Sequence, residues 1–215
     1  MQLFYNFEEV GMDNDDLLYS TGDTYCCGYH NHFHGGNTKF HELTEFNLET
    51  RWGISKQQVW ERERHYYQTS FYEEMKPIPG AYEGIDHLYK NDHNTHIITG
   101  RGKDVAHHTI RKLRQDFEPH HFRSINHTGP QFFNGEHEAK IVVCERLGIQ
   151  LHFDDYLTTL IKCANKGIFG ILFDKPWNQS TDLPKLIYRI ENDNWQQAID
   201  VFEEIKRKYT GQPIF

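Results

Sequence analysis

Apolar runs that break off into polar groups recur four times along the chain. Leu3-Phe4-Tyr5-Asn6-Phe7 runs into Glu8, and His96-Ile97-Ile98 into Thr99-Gly100-Arg101. Leu151-His152-Phe153 runs into Asp154-Asp155, and Gly170-Ile171-Leu172-Phe173 into Asp174-Lys175-Pro176-Trp177-Asn178. Each reads as a short buried strand that delivers polar side chains to the carboxyl edge of a sheet, where open α/β folds keep their sites. The pattern predicts strands over residues 2–7, 95–98, 121–125, 149–153 and 168–173. Helical spacing fills residues 79–89, 104–117, 136–147, 156–165 and 195–209, with Gly148 and Gly167 as stop signals. This alternation implies an α/β, Rossmann-like core with a parallel sheet covered by helices on both faces.

The stretch between the first strand and His96 is too long for a crossover loop, so something folds there. Residues 13–19 read as the start of a helix. Ser55-Lys56-Gln57-Gln58 has the form of a capping box ahead of a helix to about Gln68, with Val59, Trp60, Arg64 and Tyr67 on one side. Residues 71–75 suggest a short turn, and Lys76-Pro77-Ile78-Pro79-Gly80 is a rigid connector back to the core. The expected division is therefore a core of residues 1–11 and 77–215, with a small helical cap of residues 12–76 inserted after the first strand. His30, His32 and His34 alternate near Cys26, Cys27 and His41. On a strand face they are either a zinc cluster or a polar lid surface, and no CxxC pairing accompanies them. Trp52, Trp60, Tyr66 and Tyr67 serve as lid core or, if a nucleotide binds, as a stacking surface for its base.

Composition narrows the function. A net charge of -8, from 31 acidic against 23 basic residues, argues against an extended nucleic-acid footprint, while a small phosphorylated ligand needs only a local positive pocket. A mean hydropathy of -0.77 leaves no membrane candidate. With no apolar leader and four cysteines in no disulfide framework, a reducing, cytoplasmic setting is the expectation.

Taken in order, Asn6-x-Glu8, Thr99-Gly100-Arg101, Lys140 and Asp154-Asp155 resemble the four motifs of the haloacid dehalogenase (HAD) superfamily of phosphatases. The insertion after the first motif, Pro77-Ile78-Pro79-Gly80-Ala81 and residues 172–178 are similar to the 5'(3')-deoxyribonucleotidase group and its uncharacterised relatives. The resemblance implies a nucleophilic carboxylate at the first motif position, an acid/base carboxylate two residues on, and phosphate held by Thr99, Gly100, Arg101 and Lys140. It also implies Mg2+ held by the first-motif residue with Asp154 and Asp155.

By that alignment Asn6 stands at the nucleophile position, which is also a metal-ligand position, and Glu8 at the acid/base position. An amide has no anionic oxygen for in-line attack, and it weakens a hard-cation site. The expectation is a phosphatase or nucleotidase scaffold that is catalytically impaired, a pseudoenzyme that retains a phosphate- or nucleotide-binding pocket and pairs with a protein partner or with itself. The alternatives are an active Mg2+-dependent phosphomonoesterase, a register in which Glu8 or Glu9 is the nucleophile, an engineered substrate trap at Asn6, and a structural subunit of an assembly.

Overall fold

The structure, a computed structural model, describes residues 4–129 and 139–214. Its sheet has six parallel strands: β1 (Glu9–Met12), β2 (Asn94–Gly102), β3 (Ser124–Gly129), β4 (Leu151–Asp154), β5 (Phe169–Phe173) and β6 (Ile187–Ile190). Their order across the sheet is β3-β2-β1-β4-β5-β6. Nine α-helices lie within the described residues. α1 (His30–His34), α2 (Leu48–Trp52), α3 (Lys56–Tyr66) and α4 (Ser70–Glu73) belong to the insertion. α5 (Ala81–Lys90), α6 (Ala106–Asp116), α7 (Lys140–Leu147), α8 (Leu157–Ala164) and α9 (Trp195–Tyr209) accompany the sheet. This is the expected α/β Rossmann-like architecture. Among the described residues, no helix is long and apolar enough to cross a membrane.

The first strand departs from the expectation. Tyr5 and Phe7 are buried, their rings stacked at 5.4 Å, but Phe7 takes the left-handed conformation with φ 54°. An extended strand cannot pass through that backbone region. The apolar run therefore packs as an irregular arm, and β1 starts after it at Glu9, two residues beyond the predicted end. Val10 and Met12 fill the core from β1. Gly11 between them lets β4 come close, because a Cβ there would lie 2.6 Å from His152 Nδ1.

Further along, β2, β4 and β5 fall where the alternation puts them, whereas β3 begins three residues late and β6 has no counterpart in the pattern. The predicted helix at 136–147 is seen as α7. Its first residue, Glu136, lies outside the described residues.

The insertion leaves and rejoins the core at one place: Tyr19 pairs antiparallel with Pro77, and Ile78 N–H donates to Leu18 O at 2.8 Å. Ser55 caps α3, with Gln58 N–H donating to its hydroxyl and Ser55 N–H donating to Gln58 Oε1 at 2.9 Å. Tyr25, Tyr29, Tyr66 and Tyr72 form the insertion's aromatic core, so Tyr66 serves packing. His30, His32 and His34 lie on α1, not on a strand; a helical pitch splits the alternation that suggested one face. Tyr29 ends a π-helical segment, Gly22–Tyr29, that runs directly into α1.

Candidate active site

Three carboxylates and one ammonium meet where β1 and β4 end. The ligand atoms of Asp13, Asp154 and Asp155 lie within 4.8 Å of one another, and all three residues are buried. Lys140, the first residue of α7, reaches into the cluster with its Nζ 2.7 Å from Asp13 Oδ2 and 2.9 Å from Asp154 Oδ2. Asp13 is the residue directly after β1, and its N–H continues the ladder by donating to Phe153 O at 2.9 Å. The strand thus places this carboxylate at the sheet's carboxyl edge as topology requires.

Electrostatics separates the three aspartates. Burial pushes the Asp13 carboxyl up to about 7, with Lys140 opposing and Asp154 and Asp15 adding to the rise. Burial also pulls Asp154 upward, but Lys140 and the fully buried His152, 3.0 Å away, overcome it and hold Asp154 well below the usual carboxylate range. Asp155 is driven well above that range by burial first and then by Asp154, Asp16 and Asp13. It accepts from Trp177 Nε1 at 2.8 Å, while Asn178 Nδ2 binds its backbone carbonyl at 2.7 Å. Three buried carboxylates against one lysine leave excess negative charge on hard oxygen donors, a set that fits Mg2+.

Two residues beyond Asp13, Asp15 is gripped by Arg101. Arg101 Nε donates to Asp15 Oδ2 at 2.9 Å and Nη2 to Oδ1 at 2.6 Å, and Thr21 Oγ1 donates to Oδ1 at 2.6 Å. Burial would raise Asp15, yet Arg101 and Thr21 hold it below its ordinary value. Asp16 takes a left-handed backbone, φ 52°, and both its carboxylate oxygens accept from Gly22 N–H, at 2.8 and 3.0 Å. Residues 13–19 thus form a turn rather than the start of a helix, because side-chain acceptors satisfy the backbone locally.

Asn6 and Glu8 are elsewhere. Both are exposed and precede β1 at its amino end, where Asn6 N–H donates to Gln150 Oε1 at 2.8 Å and Asn6 Nδ2 to Glu8 Oε2 at 3.4 Å. The strand's length separates them from the carboxylate cluster, so neither can stand beside Asp154 and Asp155, and Asn6 is not in the metal group. Asp154, Asp155 and Lys140 come together as expected.

Thr99 is fully buried, its hydroxyl accepting from Arg101 N–H at 3.2 Å. Gly100 and Arg101 line the cavity over the cluster. Arg101 spends its donors inside the protein: besides Asp15, Nη1 donates to Tyr72 and Thr109, each at 3.1 Å. It orients Asp15 and has no N–H fork left for phosphate.

What the pattern concealed was Asp13-Asn14-Asp15. The signal for it was Val10-Gly11-Met12 running into two carboxylates one residue apart, but Gly11 makes that run look weaker than the more apolar one before it.

The sheet order, the strand-edge aspartates and the inserted helices define the class: the chain has the fold of the HAD hydrolases. A hydrolase of the haloacid dehalogenase-like family from Streptococcus pneumoniae superposes with a TM-score of 0.65 at 16% identity, over 91% of this chain and 98% of that one. A provisionally assigned HAD hydrolase of Bacillus subtilis, solved bound to magnesium, superposes with a TM-score of 0.59 at 15% identity, over 93% and 100% of the two chains. In sequence, a Bacillus cereus protein provisionally named a nucleotidase is 22% identical over 166 residues, 77% of this chain and 81% of that protein. No family model matches.

Proposed function

We propose that the chain is a Mg2+-dependent phosphomonoesterase of small phosphorylated substrates, with Asp13 as nucleophile. The observation that carries this reading is the meeting of Asp13 with Lys140, Asp154 and Asp155 at the ends of β1 and β4. Mg2+ held by Asp13, Asp154 and Asp155 would supply charge neutralisation at the transferring phosphoryl group. Asp13 attacks phosphorus, the bond from phosphorus to the leaving oxygen breaks, and an aspartyl phosphate forms. Lys140 holds the phosphoryl oxygens and compensates the carboxylates. Asp15, oriented by Arg101, protonates the leaving oxygen and then takes the proton of the water that opens the aspartyl phosphate.

The inserted helices act as a cap, since the cavity of about 560 Å3 over the cluster is lined by both the insertion and the core. The reading of an impaired enzyme rested on Asn6 and Glu8, which lie away from the cluster, so an intact Asp-x-Asp pair favours turnover. A nucleoside monophosphate as substrate is supported by the name of the Bacillus cereus relative. Trp60 and Tyr156 in the cavity lining, the latter stacked on Phe46 at 4.0 Å, are suited to a base.

The test is phosphate release from an aryl phosphate and a panel of nucleoside monophosphates with Mg2+. Asp13→Asn should lower kcat on the order of a thousandfold or more, and the wild-type chain should retain labelled phosphate that hydroxylamine releases. Asn6→Asp with Glu8→Asp should leave the rate unchanged. Turnover that survives Asp13→Asn sinks the reading.

A further inference from the structure

β4 carries a histidine where an apolar residue would pack as well. All four of its residues are buried, and Leu151 and Phe153 fill the core from one face of the strand. His152 and Asp154, two residues apart, point to the other face. Asp154, in its ion pair with Lys140, can only accept, so His152 donates to Asp154 Oδ2 from Nε2, at 3.0 Å. The other ring nitrogen, Nδ1, is shut off from solvent and makes no hydrogen bond. Gly11, the register partner of His152 on β1, gives that nitrogen its room, since a Cβ there would lie 2.6 Å from it. A buried imidazole with one nitrogen unpaired costs free energy that a valine or isoleucine in the same space would not. The one bond the ring makes is what sets it apart from a packing residue.

That bond decides which acceptor sites of Asp154 stay open. An ionised carboxylate has about four lone-pair sites, two on each oxygen. On Oδ2 they are taken by Lys140 Nζ at 2.9 Å and His152 Nε2 at 3.0 Å, and on Oδ1 one is taken by the Tyr156 N–H at 2.8 Å. The site left open is on Oδ1, so Asp154 has a single oxygen to offer a cation. Mg2+ demands near-octahedral geometry, for which the bite of a two-oxygen carboxylate is too narrow, whereas Ca2+ accepts about six to eight oxygens and takes carboxylates through both.

We propose that His152 is a positioning residue of the metal site, which closes Asp154 Oδ2 so that this carboxylate meets the cation through Oδ1 alone, and thereby favours Mg2+ over Ca2+. The inference rests on the metal site of the phosphomonoesterase reading and extends it from which residues hold the ion to which ion they admit.

The experiment is calorimetric titration of the full chain with Mg2+ and, separately, with Ca2+, in the absence of substrate. His152→Leu should weaken Mg2+ binding roughly tenfold to a hundredfold and Ca2+ binding by less, moving the ratio of the two affinities toward Ca2+ by about fivefold or more. His152→Gln, whose amide nitrogen can take the place of the ring Nε2, should restore Mg2+ affinity to within about threefold of the wild type. His152→Asn, whose amide stops short on the side of Gly11, should not. Melting temperatures establish that the variants fold, and the Asn and Gln variants carry the test where His152→Leu does not fold. Unchanged Mg2+ affinity in the Leu and Asn variants, an equal loss for both ions, as a merely structural residue would give, or no recovery in His152→Gln overturns the proposal, as does a wild type that binds no Mg2+. Phosphate release is measured apart. A His152-dependent Mg2+ preference in a chain that releases no phosphate keeps this inference and defeats only the hydrolase reading, while turnover with a Mg2+ affinity indifferent to His152 defeats only this inference.

Discussion

Arg101 shows how one residue's bonding decides its role. With four N–H contacts made inside the protein, two of them to Asp15, it holds that carboxylate in place, which in the proposed reaction leaves phosphate to Lys140. Lysine cannot reproduce the fork. Arg101→Lys should lower kcat by about 10²-fold, because the proton-transferring carboxylate loses its position. KM should change little, whereas a phosphate-binding role would raise it. The pH profile adds a second readout. Arg101 holds Asp15 below its ordinary value, so losing the guanidinium raises the carboxyl, and where the water step, in which Asp15 is the base, limits turnover, the acidic limb of kcat should move to higher pH. An acidic limb that stays where it is would separate Arg101 from Asp15 function.

At the scale of elements, α9 ties the sheet to the turn of residues 13–19. Trp195, at its start, is buried between Phe153 of β4 and Phe173 of β5, and its Nε1 donates to Leu17 O at 3.1 Å. Gly84 of α5 makes room for that ring, since a Cβ there would lie 2.5 Å from Trp195 Cε3. Gly84→Ala should cost about 1–3 kcal/mol by overpacking, read as a lower urea midpoint at unchanged slope. An unchanged midpoint would mean the ring moves freely. α9 was legible to the residue, because its fifteen positions repeat an apolar stripe behind the cap of Asn194, whose Oδ1 accepts from Gln197 N–H at 3.0 Å. Long elements average over local exceptions, and short ones do not. β1 is four residues with a glycine inside it, so the neighbouring arm of Tyr5 and Phe7, more apolar but bent at Phe7, outscored it. That displacement drew the first-motif expectation to Asn6, away from the Asp13 that stands in the carboxylate cluster, while Lys140, Asp154 and Asp155 were found from their own elements. The grip of Arg101 on Asp15 had no local signature, for it joins residues 86 positions apart.

The whole molecule carries a net charge of -8, and its folded state concentrates part of that charge in one buried corner. Burial raises Asp13 to about 7 and Asp155 well above the carboxylate range. An acid whose folded pKa is raised binds more protons folded than unfolded, so its contribution to stability is lost as pH rises through the folded value. In the metal-free chain Asp13 therefore weakens the fold progressively as pH rises from about 4, its unfolded value, to about 7, and Asp155 acts in the same direction. Mg2+ replaces the protons and should stabilise most where the carboxylates are ionised, by about 2.7 kcal/mol at a hundredfold excess over its dissociation constant. Buried histidines titrate in the opposite sense: His93, lowered by burial, donates from Nδ1 to Phe7 O at 2.8 Å and loses its contribution as pH falls. The absolute pH profile of stability thus mixes both signs, and the informative quantity is the melting shift between Mg2+ and chelator at each pH. That shift should grow from pH 5.5 to pH 8 and flatten in Asp13→Asn. A shift of equal size at both pH values, or one untouched by Asp13→Asn, would place the cation somewhere other than the end of β1.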